Sequence, residues 1–132
     1  MIPVRALLFF VVAAALPFGG AGAADWSKAK TVNVAMSEYA FKPADLTFKQ
    51  GVAYRLHLDN KGKETHEFTA PDFFKTLEMR DTKSLNADQT EIVVQPGKKA
   101  DLYFIPKQAG SYDLRCSDHD WAGMTGHITI SP

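Results

Sequence analysis

The sequence predicts an all-β fold, a Greek-key β-sandwich formed by the residues that follow the first 24. Apolar and polar side chains alternate with a period of two in several short segments, most clearly in residues 53–59, where Tyr54, Leu56 and Leu58 share one face. Turn signals recur about every 8 to 12 residues between these segments, which is typical of a sandwich of short antiparallel strands. The chain contains no repeat and no low-complexity tract.

Residues 1–24 read as an export signal. Arg5 gives this segment a weakly positive N-terminal region. Residues 7–16 form an apolar run that is shorter than the roughly 20 residues that a membrane-spanning helix needs. The small residues of Ala21-Gly22-Ala23 resemble a cleavage site. We expect a single domain over residues 25–132, located in the periplasm and not inserted in the membrane after signal removal. A retained anchor or a buried helix is the alternative.

The charge balance argues against two classes of partner. The chain has 15 Lys and Arg residues and 15 Asp and Glu residues, without a long run of one sign. A neutral chain has no net field to attract nucleic acid or an anionic membrane surface. We therefore expect neither of these partners.

The strands can be placed in order along the chain. Further alternating segments are residues 31–36, 46–48, 90–94 and 102–104. Pro71 to Phe74 could open a single helical turn, and residues 80–88 are polar enough to form a loop. We expect residues 70–90 to cover an edge of the sandwich, with a partner surface as the alternative.

The most informative stretch is residues 112–130, a loop between two strands. On the incoming strand Leu114 and Cys116 lie on the inward parity, and on the outgoing strand Met124 and Ile128 do. The inner faces of both strands therefore end in a sulfur. The loop also carries His119, which gives the spacing C-x2-H-x4-M.

These three side chains are candidate metal ligands. Cys116 is the only cysteine of the chain, and a single cysteine in an exported protein is often a metal ligand because it cannot form an internal disulfide. A thiolate, an imidazole and a thioether suit copper, and a second imidazole would complete the donor set of a one-electron copper carrier.

The second imidazole is expected from His66. Of the four histidines, His57 and His127 fall on the outer parity of their strands, whereas His66 shares the buried parity with Phe68. The same alternation turns Glu67 away from the buried face. Glu67 remains an alternative ligand that would make a harder, non-blue site.

The stretch GSYDLRCSDHDWAGMTGHITI resembles the copper loop of cupredoxins, the blue-copper proteins, and is most similar to the plastocyanin and pseudoazurin branch. The resemblance extends over roughly residues 30–130, and His66 in THEF stands where the family has its first histidine ligand. It differs at Glu67, Asp118 and Trp121, where the family usually has other residues.

The resemblance implies one mononuclear copper ion bound by His66, Cys116, His119 and Met124. It also implies a monomer that carries single electrons between redox partner proteins in transient contacts and is not an enzyme. Copper binding, delivery or uptake through the same site is the alternative function. Trp121 would lie either in an exposed docking patch or as a packing residue over the loop.

Two other site chemistries use the same residues. A Cys-His hydrolase would need an orienting partner for His119, and only Asp118 and Asp120 are near in sequence. A zinc site would leave Met124 unbound, because zinc seldom takes a thioether ligand. The spacing of the methionine favours copper over both.

Overall fold

The computed structural model describes residues 23–132, which form two packed β-sheets. The predicted signal segment lies almost wholly outside the described residues. The strands in chain order are β1 (Lys30–Ser37), β2 (Ala40–Lys42), β3 (Asp45–Lys49), β4 (Tyr54–Asn60), β5 (His66–Thr69), β6 (Leu77–Met79), β7 (Glu91–Val94), β8 (Lys99–Pro106), β9 (Gly110–Arg115) and β10 (Thr125–Ser131). One short helix, α1 (Pro71–Phe74), and two 3₁₀ turns (Trp26–Lys28 and Asp120–Ala122) complete the elements.

Each sheet has five strands, and their order requires crossings between the sheets. The first sheet has the order β2-β1-β4-β8-β6 and the second has the order β3-β10-β9-β5-β7. The chain passes from the first sheet to the second after β2, β4, β6 and β8, and it returns to the first sheet after β3, β5 and β7. The predicted β-sandwich is confirmed.

The core lies between the sheets and follows the period-two alternation of the sequence. In β4 every second residue from Tyr54 to Asn60 is buried, and the residues between are half-buried. The largest fully buried side chains are those of Phe48, Phe68, Phe73, Phe104, Met36, Leu56, Leu58, Ile92, Leu102, Leu114, Met124 and Ile128. Removal of these apolar surfaces from water stabilises the sandwich.

The segment after β5 contributes buried side chains to the core and an edge strand to the first sheet. Phe73 and Phe74 of α1 are both buried, and Phe73 stacks on Phe48 with ring centroids 5.8 Å apart. The strand β6, which the sequence did not reveal, pairs with β8 at the edge of the first sheet. None of the helices within residues 23–132 is long and apolar enough to cross a membrane.

Strand pairing in the second sheet brings the candidate ligands to one end of the molecule. β9 and β10 pair antiparallel, with Arg115 opposite Thr125, so that the residues between them form a closed loop. β5 lies beside β9, with Thr69 opposite Arg115. His66 at the start of β5 therefore lies near the loop that follows β9.

Candidate metal centre

Three of the four predicted ligands come together in the structure. One ligand atom from each of His66, Cys116 and His119 lies within 4.8 Å of the other two. His66 and Cys116 are buried, and His119 is half-buried. The fold therefore joins one donor from β5 with two donors from the loop between β9 and β10.

The imidazole of His66 points a free nitrogen into this cluster. Its Nε2 lies 3.1 Å from Oε1 of Glu38, and because a carboxylate only accepts, the proton belongs on Nε2. Nδ1 is then a lone-pair donor, and it is the buried side-chain polar atom without a hydrogen-bond partner among residues 23–132. A buried polar atom without a partner costs free energy unless a ligand satisfies it.

The imidazole of His119 is oriented in the same way. Its Nδ1 lies 3.5 Å from the sulfur of Cys116, and its Nε2 lies 3.4 Å from Oε2 of Glu64. The ring of Tyr39 packs on that of His119, with the two centroids 4.7 Å apart. Both histidines thus turn Nδ1 toward the cluster and Nε2 toward a carboxylate.

The sulfur of Cys116 is excluded from solvent and contacts a single residue of β5 twice. It accepts the backbone N–H of Glu67 at 3.4 Å and donates to Oε2 of the same residue at 3.0 Å. Burial, with the nearby Glu67 carboxyl adding to it, raises the pKa of the Cys116 thiol to about 11. The metal-free protein therefore holds a protonated thiol, and metal binding has to release that proton.

Met124 is fully buried and follows the loop directly. Its backbone N–H donates to the carbonyl of His119 at 3.3 Å, and its own carbonyl accepts the N–H of Cys116 at 2.9 Å. Gly123 makes the turn before it with a φ of 83°, a conformation that favours glycine. These bonds close the loop, so that Met124 is tied by its backbone to both of the other loop ligands.

Glu67 is buried although it has the outward parity of β5. The alternation of β5 predicted that this side chain points away from the buried face, but all four residues of β5 are buried and Glu67 is 5% exposed. The reason is that the loop after Cys116 folds over the outer face of β5, where Glu67 meets Cys116 and Asp118. Burial raises the pKa of Glu67, although its bond to Cys116 partly offsets this.

Three residues of the site had no signal in the sequence. Glu38 and Tyr39 lie between β1 and β2, and Glu64 lies between β4 and β5, in segments without regular periodicity. The neighbouring Glu64 carboxylate raises the pKa of Tyr39. The pKa of Glu38 is lowered to about 2, mainly by the hydrogen bond from the Glu64 N–H. The hydrogen bonds with the Lys63 N–H and with His66 lower it further, whereas partial burial acts to raise it.

The remaining candidates lie outside the cluster. His57 is bonded to Asp101 on the outer face, with Nδ1 2.7 Å from Oδ1, and His127 is exposed. Trp121 lies on the loop between β9 and β10 and is 77% exposed, with its ring centroid 6.0 Å from that of Tyr39. It does not pack into the core, which favours the exposed-patch alternative.

The donor set fits a copper ion. His66, which has an unsatisfied Nδ1, has a ring nitrogen close to the Cys116 sulfur and to a ring nitrogen of His119, and the three residues provide two imidazoles and one soft sulfur donor. These are the in-plane donors of a mononuclear copper site, to which a thioether such as that of Met124 adds a weak axial ligand.

The chain can now be placed by comparison with known proteins. The sequence profile of the cupredoxin-like domain family matches residues 6–130. The chain belongs to this family. The plastocyanin and pseudoazurin branch remains a prediction.

Individual relatives are more distant. The copper-resistant cuproprotein CopI of Pseudomonas aeruginosa is 25% identical over 139 aligned residues, which cover 78% of this chain and 77% of CopI. The dithionite-reduced auracyanin of Roseiflexus castenholzii superimposes with a TM-score of 0.60 at 21% identity, covering 79% of this chain and 98% of auracyanin. Auracyanin B gives a TM-score of 0.59, also at 21% identity, covering 79% and 90% of the two chains. The structural matches show that this cupredoxin has the same fold.

Proposed function

We propose that this cupredoxin is a periplasmic type 1 copper protein that carries single electrons between redox partners. The observation that supports it most directly is the buried Nδ1 of His66, which has no protein partner and lies with Cys116 and His119 in a cluster of mutually close donors. A structural histidine would bond both nitrogens or reach water. The proposed ligands are His66, Cys116, His119 and Met124.

A copper ion held there would supply a one-electron couple between Cu(II) and Cu(I). The protein's contribution is to keep the donors in one arrangement for both states. His66 is fixed by β5 and by Glu38, whereas Cys116 and His119 are fixed by the closed loop and by the backbone bonds to Met124. Little rearrangement is then needed when an electron is gained or lost.

The partner surface is proposed around His119, where Trp121 is exposed. An exposed aromatic next to a half-buried ligand gives a short route from the surface to the site. Redox encounters of this kind are small and short-lived, and a monomer with one such surface suffices. We expect Trp121→Ala to slow electron exchange with a partner while unfolding free energy changes by less than about 0.5 kcal/mol.

The second candidate function is copper handling through the same site. The likeness to the copper-resistant cuproprotein CopI favours it. The two functions make different demands on the site. An electron carrier retains its ion through both redox states, whereas a delivery protein releases it to an acceptor.

Copper binding is tested by adding Cu(II) to the purified metal-free protein under anaerobic conditions. We expect one equivalent to bind and to produce an intense thiolate charge-transfer band, and the Cys116→Ser variant to lack this band. His66→Gln should bind copper far more weakly, whereas the exposed His127→Gln is the matched control and should behave as the native protein. A colourless adduct would reject the proposal, and so would an unchanged band in Cys116→Ser.

The role is tested by two further measurements on the loaded protein. Reversible cycling without loss of copper supports electron transfer, and rapid transfer of Cu(I) to a chelating acceptor supports delivery. Sequencing the N-terminus of the protein recovered from a periplasmic fraction tests the expected removal of residues 1–24.

A further inference from the structure

Both imidazoles of the site have a glutamate carboxylate close to Nε2. Nε2 of His66 lies 3.1 Å from Glu38 Oε1, and Nε2 of His119 lies 3.4 Å from Glu64 Oε2. The two glutamates come from separate segments, one between β1 and β2 and the other between β4 and β5. Two segments that are separate in sequence therefore place a carboxylate near the Nε2 atoms of the two histidines.

The carboxylate of Glu38 is held by its surroundings. Its Oε1 also accepts the backbone N–H groups of Lys63 at 2.7 Å and Glu64 at 2.8 Å. A Cβ on Gly62 would overlap this carboxylate, so the neighbouring chain can approach it only because residue 62 is glycine. The Glu38 side chain is 30% exposed and has little room to turn away.

The carboxylate of Glu64 lies near Tyr39. The Glu64 carboxylate is close enough to raise the pKa of Tyr39, and the ring of Tyr39 packs on the ring of His119. The backbone of Glu64 is itself bonded to Glu38 through its N–H. The two glutamates thus belong to one interlocked group, which lies on the outer side of both imidazoles.

A carboxylate behind a histidine changes the donor strength of the opposite nitrogen. When Nε2–H donates to an anion, electron density moves toward Nδ1, and the imidazole becomes a stronger base and a stronger ligand. Stronger donation stabilises the more highly charged oxidation state of a bound metal. At His66 the contact is a hydrogen bond, and at His119 the Glu64 carboxylate lies 3.4 Å from Nε2, close enough to act on the metal in the same direction.

We propose that Glu38 and Glu64 are positioning residues that act through His66 and His119 to make this centre prefer Cu(II) over Cu(I). This inference rests on the proposed copper site and deepens it. The paired carboxylates set a low reduction potential, which suits a centre that retains oxidised copper and gives up its electron readily.

A simple through-space charge effect would also lower the potential and has to be separated from this one. Exposed charges are screened by salt, because the Debye length falls from about 30 Å at 0.01 M to about 3 Å at 1 M ionic strength. A hydrogen bond to the imidazole is not screened in this way. The salt dependence therefore distinguishes the two effects.

The test uses the copper-loaded full domain with Glu38→Gln and Glu64→Gln, which remove the charge but keep an acceptor oxygen. Glu78→Gln is the matched control, since Glu78 lies on the edge strand β6 of the first sheet and pairs with Lys107. The midpoint potential is measured by optical redox titration at low and at high salt. Cu(II) and Cu(I) affinities are measured separately with competing chelators.

We expect each site variant to raise the ratio of Cu(I) to Cu(II) affinity about tenfold, which is about 59 mV for a one-electron couple. The shift should persist at high salt and arise mainly from weaker Cu(II) binding, while Glu78→Gln leaves the potential unchanged. Shifts no larger than that of the control, or shifts that vanish at high salt, would overturn the inference.

The two proposals fail in different ways. If the native protein shows no thiolate charge-transfer band, the copper site itself is rejected. If the band is present and the glutamate variants leave the potential unchanged, only the role of the glutamates is rejected. If Glu38→Gln fails to fold because it loses backbone contacts, the potential of Glu64→Gln alone tests the role of the glutamates. The Glu64 side chain is 48% exposed, so this substitution should not disturb folding.

Discussion

The carboxyl group of Glu67 lies 3.0 Å from the sulfur of Cys116, and both side chains are almost wholly excluded from solvent. The backbone N–H of the same glutamate also points at the sulfur, at 3.4 Å. Glu67 is not among the residues whose donor atoms lie mutually close in the cluster of His66, Cys116 and His119. The geometry therefore makes Glu67 a partner of the sulfur and not a member of the donor cluster.

We expect Glu67→Gln to bind one copper ion and to keep an intense charge-transfer band with a shifted energy. The amide retains polar contact with the sulfur, while the charge that distinguishes a carboxyl ligand is lost. Electron paramagnetic resonance and visible absorption of the loaded variant provide the measurement. Loss of the band together with weaker copper binding would instead place Glu67 among the ligands.

The sequence predicted most of the strands and the three candidate ligands of the loop because both depend on local patterns. Alternation in β4 marks its buried face without any knowledge of the neighbouring strands. The spacing of Cys116, His119 and Met124 is set within one closed loop. His66 required the additional argument that the other free histidines lie on outer faces, as His57 and His127 do.

The carboxylates around the site were not predictable in this way. Glu67 has the parity of an outward residue and becomes buried only because the loop after Cys116 covers it. Glu38 and Glu64 lie in irregular segments 26 positions apart, and their contact depends on how the loop between β1 and β2 meets the connection from β4 to β5. Tertiary packing overrides local pattern at all three positions.

Met124→Leu should keep the charge-transfer band and raise the reduction potential on the order of 60 mV, the equivalent of a tenfold change in relative affinity. Leucine has a similar volume, so the core should tolerate it at a cost below about 1.5 kcal/mol. The loss of a donor disfavours the more highly charged oxidation state. A potential equal to that of the native protein would show that the thioether does not contact the copper.

Acid should weaken a cross-strand cluster on the outer face. Asp101 on β8 accepts from Arg55 at 2.9 Å and lies opposite His57 of β4, with their atoms 2.7 Å apart. Partial burial acts to raise the pKa of Asp101, but the bonds from Arg55 and His57 outweigh it, and the pKa lies below its usual value.

A carboxyl group whose pKa is lower in the folded than in the unfolded state stabilises the folded protein at pH values above its unfolded pKa of about 3.9. This stabilisation is lost as the pH falls through the folded pKa. We expect Asp101→Asn to cost less than about 1 kcal/mol at neutral pH, because the pair is exposed. Urea unfolding of both proteins as a function of pH measures this. The difference should shrink below about pH 4, and a difference independent of pH would contradict the assignment.

The side chain of Asn60 at the end of β4 should be the most costly polar group to remove. It is fully buried, and its Nδ2 donates to the carbonyls of Glu64 and Val94, each at 2.8 Å. Its Oδ1 accepts the N–H of Gly62 at 2.9 Å. One amide thus ties the loop that carries Glu64 to β7 and leaves no polar atom of its own unpaired.

We expect Asn60→Ala to lower the unfolding free energy by about 2 to 4 kcal/mol, since three hydrogen bonds are lost and buried backbone groups are left without partners. Asn60→Asp has the same shape but cannot donate to two carbonyls, so it should be destabilised as well. Asn33→Ala is the matched control, because Asn33 is exposed on β1 and should change stability by less than about 0.5 kcal/mol. If Asn60→Ala unfolds with the same midpoint in urea as Asn33→Ala, the buried amide does not hold the loop, and the placement of Glu64 behind His119 must depend on Tyr39 and Glu38 alone.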